Sequence, residues 1–301
     1  MRKWLDTQLT EYSCNLCGLQ SDRFIFERID GLRVVQCKEC GLVYLNPRPK
    51  DDLIPTQYDC NYILSRSSIG DMLTASKGRL LVLKENGISS FGKALEVGCS
   101  TGEFCQYVHN RGVDVTGIDI SGSAIKIARS RYKTIPFYVG TIDNIISEES
   151  YEALFAFEVI EHVHDPDMFF KKASDLLEKN GFLCITTPSF ECAEFVGFDN
   201  WVGFSMSFEH LYFFSSTTIG KYAAKHGMQV VCTLYGGGKG LNSHMCNQYT
   251  IKEMSKYLLK SMHLLESVRR IKRIMQLTLP IKHDYQSKEI RHNLLMILQK
   301  Q

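Results

Sequence analysis

Residues 93–104 read KALEVGCSTGEF and residues 115–121 read VTGIDIS, and this pair constrains the fold more than any other stretch. A short apolar run (Ala94, Leu95, Val97) stops at a turn carrying Gly98 and Gly102. A helical pattern follows (Phe104, Tyr107, Val108), and a second apolar run ends in Asp119. Strand, glycine turn, helix and acid-tipped strand make the layout of a nucleoside-binding βαβ unit. The acid falls about 20 residues past the first glycine, where its carboxylate can accept both hydroxyls of a ribose.

A dinucleotide-binding turn asks for glycine at positions 98, 100 and 103, and this chain has Gly98, Ser100 and Glu103. A pyrophosphate docks on free N–H groups at such a helix N-terminus, and a carboxylate there repels it. Glu96, in the last turn of strand, adds negative charge on the same side. The site suits a ligand with a ribose, no phosphate and a positive tail. Glu96-x-Gly98-x-x-x-Gly102 resembles the first motif of class I S-adenosylmethionine-dependent methyltransferases, whose cofactor carries ammonium and sulfonium charges. The resemblance implies that Glu96, Gly98, Cys99, Ser100, Gly102, Asp119 and Ile120 hold that cofactor. From later strand ends, Ile142 is expected against the adenine ring, Asp143 near its exocyclic amine or capping the next helix, and Glu158 beside the cationic tail.

The chain has 301 residues, room for one large α/β domain plus a small appendage. Thirty-five Lys and Arg against 33 Asp and Glu give no push toward nucleic acid or an anionic membrane. No apolar run approaches the roughly 20 residues that span a bilayer. The first residues, MRKWLDTQLTEYSC, lack the apolar core of a signal peptide. Eleven cysteines in such a chain point to metal plus free thiols in a reducing compartment, so a soluble cytoplasmic protein is expected.

Cys14-Asn-Leu-Cys17-Gly18 and Cys37-Lys-Glu-Cys40-Gly41 flank an alternating stretch, FIFERIDGLRVVQ, with a hairpin turn at Asp30-Gly31. Two CxxC pairs so spaced supply the closed four-sulfur sphere of a structural Zn2+ ion, with no open position to activate water. A short strand broken by two prolines, GLVYLNPRP, comes next, then a segment carrying Tyr58 and Tyr62. A zinc ribbon ending this way ahead of a methyltransferase domain resembles bacterial class I methyltransferases of sugar and surface-polysaccharide biosynthesis. The resemblance runs from Cys14 to Tyr235 and leaves Arg48 and the tyrosines either in an acceptor pocket or in a packed linker.

Further strands are expected at 94–98, 113–118, 136–139, 153–157, 182–186 and 230–234, and helices at 65–86, 103–111, 122–131, 166–178 and 215–226. Alternation of this kind makes a doubly wound, mostly parallel sheet with right-handed crossovers. Residues 292–299 are expected to add a seventh, antiparallel strand, completing a Rossmann-like α/β fold. The divisions are a ribbon at 1–50, a linker and helical lead-in at 51–90, a core at 91–240 and a C-terminal helical region at 241–301. Within the last, 252–277 is amphipathic with a basic face, read as a packed helix rather than a membrane-surface one.

In such a sheet the ligand lies outside the carboxyl ends of the strands. The fourth strand of the core ends in FEVIEHVHDP, which crowds Glu158, Glu161, His162 and His164 there. A hydroxyl becomes a good methyl acceptor once a base takes its proton, and histidine suits that role near neutral pH. His162 is one candidate base. His210 is the other; it resembles the histidine of the H-x-x-x-F-S segment in these methyltransferases. It sits within a long aromatic insertion in which Trp201, Phe204 and Tyr212 are expected either to face a sugar ring or to pack in the core. Glu158, Glu161, His162 and His210 together resemble the metal set of small-RNA 2′-O-methyltransferases and some ubiquinone-biosynthetic O-methyltransferases, a resemblance that implies a second divalent ion. The expected reaction is methyl transfer to a small-molecule acceptor, a hydroxyl of a sugar, sugar conjugate or nucleotide-sugar. The alternatives are RNA methylation with the ribbon on nucleic acid, which the ribbon's mixed charges disfavour, and a non-catalytic zinc- and nucleoside-binding partner subunit.

Overall fold

The computed structural model describes residues 4–50, 53, 69–145, 150–205, 209–236 and 293–301. Tyr58, Tyr62, the amphipathic stretch 252–277 and His292 lie outside the described residues.

The Asp30-Gly31 turn forms as its dipeptide demands, with Gly31 at a φ of 83°. It joins β2 (Asp22–Glu27) to β3 (Arg33–Cys37); around them lie β1 (Leu9–Thr10), β4 (Val43–Leu45) and β5 (Arg48–Pro49). Helix α1 (Ile69–Glu85) leads into β6 (Lys93–Val97), α2 (Glu103–His109), β7 (Asp114–Asp119), α3 (Gly122–Arg131), β8 (Phe137–Val139) and β9 (Tyr151–Phe157). Then come α4 (Pro166–Leu176), β10 (Leu177–Pro188), the short helices α5 (Phe190–Val196) and α6 (Val202–Ser205), and β11 (Tyr212–Phe213). Helix α7 (Ser216–Lys225), β12 (Met228–Gly236) and β13 (Asn293–Lys300) complete the described chain.

Seven strands form one sheet in the order β12-β13-β10-β9-β6-β7-β8. All run parallel except β13, which pairs antiparallel with both β10 and β12. The chain order reverses on either side of β6, so a crevice opens at its carboxyl end. Both faces are covered, and side chains alternate between them: Leu294, Met296 and Leu298 enter one apolar cluster, Leu295 and Ile297 the other.

Two boundaries differ from the sequence expectation in an instructive way. Helix α4 ends at Leu176, earlier than the expected residue 178, because Leu177 is captured by Tyr151 of β9. The N-terminal unit is also less separate than its composition suggests. Strand β11 pairs Tyr212 with Tyr44 and Phe213 with Val43, extending the hairpin sheet to the order β11-β4-β3-β2. Leu32, Val34, Leu42 and Leu45 share a core cluster with Leu95, Leu154 and Ile185 of the large sheet.

Candidate cofactor and acceptor site

At the end of β6 the amides of Gly98 and Cys99 both donate to the Ile118 carbonyl of β7, at 2.8 and 3.0 Å. This closes the turn tightly and needs a left-handed residue. Gly98 has a φ of 74°, and a Cβ there would lie 2.4 Å from Val159 Cγ2. Gly102, at a φ of 87°, starts α2, and a Cβ on it would lie 2.7 Å from Phe137 Cζ.

Asp119 orders both loops of the crevice. Its Oδ2 accepts the Ser100 amide and its Oδ1 the Ser121 amide, each at 2.8 Å. Ionised carboxylates have further lone pairs, which a ribose diol can use. Ile120 beside it is exposed at the rim. Ile142 differs from expectation: it is 3% exposed and packs into the core, because the turn Ile142–Asn144 faces it inward. Asp143 is exposed and accepts from Thr141 Oγ1, while Asn144 makes the reciprocal cap with Thr141.

Glu96 and Glu103 carry less open charge than the sequence suggested. Burial lifts the Glu96 carboxyl to about 8, against the opposing pull of Cys105 and Arg79. Its Oε2 accepts the Cys105 thiol at 3.0 Å. Glu103 is buried and paired with Arg131 at 2.7 Å, so its charge is compensated within the protein. Cys99 is buried, and its thiol is raised above the usual range.

The sequence reading missed Arg79. Helix α1 sends its guanidinium over the Phe157 ring, Cζ 3.7 Å from the centroid, within the electrostatic reach of Glu158 and Glu96. Burial lowers its pKa and the two carboxylates oppose that. Nothing in its local spacing separates Arg79 from the helix's other basic residues. Glu158, at a φ of 56°, turns toward β13, where its Oε1 accepts from Asn293 Nδ2 at 3.1 Å.

The loop after β9 and the segment before β11 meet at the same rim. Glu161 is 1% exposed; its Oε2 accepts from Thr187 Oγ1 at 2.9 Å. Its Oε1 lies 3.9 Å from His162 Nε2 and 4.0 Å from His210 Nε2. The His162 Nδ1 reaches the Glu209 carbonyl at 3.3 Å, and the His210 Nδ1 reaches the Gly203 carbonyl at 3.2 Å. A carbonyl only accepts, so each Nδ1 carries a proton, and each Nε2 faces the carboxylate. The arrangement suits a proton taken up by one ring, or a cation held between the three groups. These donors lie within 4.8 Å of one another, so three of the four expected members of the second-ion set converge while Glu158 points elsewhere.

Of the two readings of the aromatic insertion, the structure takes core packing. Trp201, Phe204 and Tyr212 are 0%, 2% and 3% exposed, so none offers a face to a sugar. Trp201 and Phe204 meet edge to face at 4.8 Å, and Phe204 and Phe213 at 4.7 Å. Arg48 is likewise buried, its Cζ 3.9 Å from the Tyr12 ring centroid, with its Nη1 donating to the Tyr212 hydroxyl at 2.6 Å. Such large apolar rings gain more by core burial than by waiting at an open surface.

Cys14, Cys17, Cys37 and Cys40 bring their sulfurs within 4.8 Å of one another. Cys14 and Cys40 stand 3.3 Å apart, and Cys17 and Cys37 3.5 Å. A tetrahedral zinc–thiolate sphere, with bonds near 2.3 Å, spaces its sulfurs by about 3.8 Å. Burial pushes the Cys14 thiol up and the Cys40 thiol to about 11; at Cys37 burial also raises, but hydrogen bonds from the Cys40 and Glu39 amides and the Cys17 and Cys40 thiols together bring it below its ordinary value. Four such groups ionise together only around a cation, and the donor set fits zinc.

Residues 74–233 match a family model described as a methyltransferase domain. The ubiquinone biosynthesis O-methyltransferase of Pelagibacter ubique (strain HTCC1062) is 31% identical, with 36% of this chain and 52% of that protein covered. The protein of the same name from Bradyrhizobium diazoefficiens is 28% identical, with 38% and 44% covered. The chain thus spans about half the length of the curated relatives it matches. Among solved structures, an S-adenosylmethionine-dependent methyltransferase from Clostridium acetobutylicum ATCC 824 superposes with a TM-score of 0.50 at 11% identity, covering 83% of this chain and 95% of that one. The plantazolicin methyltransferase BpumL in complex with SAH gives 0.51 at 14% identity, covering 83% and 91%. With more than half of its length matched by the family model and the sheet order described above, the chain belongs to the methyltransferase-domain family, on the class I S-adenosylmethionine-dependent fold.

Proposed function

We propose that this chain moves the methyl group of S-adenosylmethionine to an oxygen of a small-molecule acceptor, with His162 and His210 at the reacting hydroxyl. The observation that carries the reading is the convergence of Glu161, His162 and His210 on the rim where β6 and β9 end. Asp119 takes the ribose hydroxyls, the Gly98–Gly102 turn lets the adenosine approach the backbone, and Arg79 faces the carboxylate of the methionyl tail. Methyl transfer is an in-line displacement, so alignment of donor and acceptor is the protein's main contribution. A ring Nε2 takes the hydroxyl proton, and Glu161 steadies the imidazolium that results. The two Nε2 atoms and the Glu161 carboxylate also fit a divalent ion, which when bound would orient and acidify a hydroxyl. In the ribbon, zinc on the four cysteines would brace the fold without touching the reaction.

Two lines support oxygen and a sugar-like acceptor. The relatives cited are named O-methyltransferases, and the ribbon ending in GLVYLNPRP resembles polysaccharide-biosynthesis enzymes. No helix among the described residues is long and apolar enough to cross a membrane, and we read the protein as cytoplasmic. The test is release of S-adenosylhomocysteine from S-adenosylmethionine with nucleotide-sugar mixtures and, separately, with RNA. Turnover on the sugars that fails in His162→Gln and His210→Gln, with S-adenosylhomocysteine affinity unchanged, is the expected result. Turnover on RNA alone, or full activity in both variants, overturns the reading.

A further inference from the structure

We propose that Arg28, on the N-terminal hairpin, is a positioning residue for His210, which makes the four-cysteine unit a wall of the acceptor site. The proposal rests on the reading of His210 given above. Arg28 is 2% exposed in the turn just past β2, far from the crevice in sequence. Its Nη1 donates to the His210 carbonyl at 3.0 Å. Its Nε donates to Asp30 Oδ1 at 3.1 Å, and its Nη2 donates to Asp30 Oδ2. The guanidinium is a rigid planar fork, so the pairing with Asp30 fixes the direction in which Nη1 points.

A buried guanidinium is a costly way to hold a hairpin together, since apolar packing of equal volume usually serves as well. What apolar packing cannot supply is a directed donor to one carbonyl. That donor holds His210 from its backbone, and the Gly203 carbonyl holds the ring from Nδ1. With both ends fixed, the remaining nitrogen faces Glu161. The same segment places the other ring, because His162 Nδ1 donates to the Glu209 carbonyl.

A second clamp comes from the same unit. The Leu45 amide donates to the Leu211 carbonyl at 2.9 Å, and Leu211 in turn donates to the Glu161 carbonyl at 2.8 Å. Backbone bonds therefore run from the hairpin sheet through β11's approach to the loop that carries Glu161 and His162. The cysteine knuckles anchor the other end of that sheet: Cys37 closes β3, and its amide donates to the Leu42 carbonyl at 2.9 Å just before β4. Metal loss at the knuckles would loosen the frame that carries Arg28 and Leu45, and through them both rings.

Ring-nitrogen NMR spectra of the histidine-labelled protein, saturated with S-adenosylhomocysteine, test this without any acceptor. The intact protein should show His210 and His162 with the proton on Nδ1. Arg28→Lys cannot hold Asp30 and the His210 carbonyl together, so the His210 signature should be lost or averaged. His109 and His226, S-adenosylhomocysteine affinity and zinc uptake should stay as they were. An unchanged His210 signature in folded Arg28→Lys or Arg28→Ala overturns the proposal. Should both variants fail to fold, chelating the zinc of the unmodified protein decides. Loss of the His210 signature with cofactor affinity retained supports the coupling, and an unmoved signature defeats it. Full turnover in His210→Gln would remove the catalytic reading alone, because the Arg28–His210 coupling is read from the ring spectrum.

Discussion

The rings of His162 and His210 meet edge to face with centroids 4.8 Å apart, on two segments that only the folded chain brings together. Each ring is tethered by Nδ1 to a backbone carbonyl, and both Nε2 atoms flank one Glu161 oxygen. On the proposed reading this geometry is the chemistry of the acceptor side of the crevice, and Asp119, which accepts the Ser100 and Ser121 amides, orders the cofactor side.

Asp119→Ala removes the acceptor of the Ser100 and Ser121 amides together with the expected ribose ligand. Losing a charged, hydrogen-bonded group at such a site costs about 1.5–3 kcal/mol, so S-adenosylhomocysteine affinity should fall tenfold or more. Titration calorimetry checks this, and unchanged affinity removes Asp119 from the site.

Gly98→Ala forces a Cβ against Val159 Cγ2 at 2.4 Å and puts alanine at a φ of 74°. The left-handed conformation costs about 1–2 kcal/mol, and the overpacking about 1–3 kcal/mol. Denaturant midpoints should drop accordingly, with cofactor affinity falling as the turn shifts. A variant as stable as the parent would mean the loop yields freely.

The Glu96 carboxyl gives the fold a pH dependence with a definite sign. Between its ordinary value of 4.5 and its buried value of about 8, the unfolded chain is ionised here while the folded chain keeps the proton. The folded state then binds more protons, so this group makes stability fall as pH rises through that window. Urea unfolding of Glu96→Gln should show a shallower decline over the same range. Identical slopes in the two proteins would refute the assignment.

Zinc analysis of the purified protein should find about one ion per chain, held by the four thiolates. Cys40→Ser should weaken retention of that ion and lower the melting temperature, since binding energy at such a site is folding energy. A metal-free protein that melts as high as the loaded one would dismiss the structural role.

Much of the cofactor side was legible from local spacing. The strand–turn–helix at 93–109 and the acid at Asp119 are set within one βαβ unit, where sequence distance and spatial distance agree. The cysteine pairs are legible for the same reason, each CxxC closing its own turn. Arg79 stayed hidden because its place beside the crevice comes from a helix packing across Phe157, which its own neighbours do not encode. Trp201, Phe204 and Tyr212 read equally well as a sugar platform or as core until packing decided.

By itself, then, the sequence determined the alternating strands, the glycine turn, the acid-tipped second strand and the two cysteine knuckles, because each is written in the spacing of adjacent residues. Only the tertiary structure decided that Glu158 turns to Asn293 while Glu161 meets both histidines, and that the ribbon shares its sheet with β11. The physical reason is that such partners are chosen by side-chain packing and hydrogen bonds between distant segments. No local period or propensity carries that information.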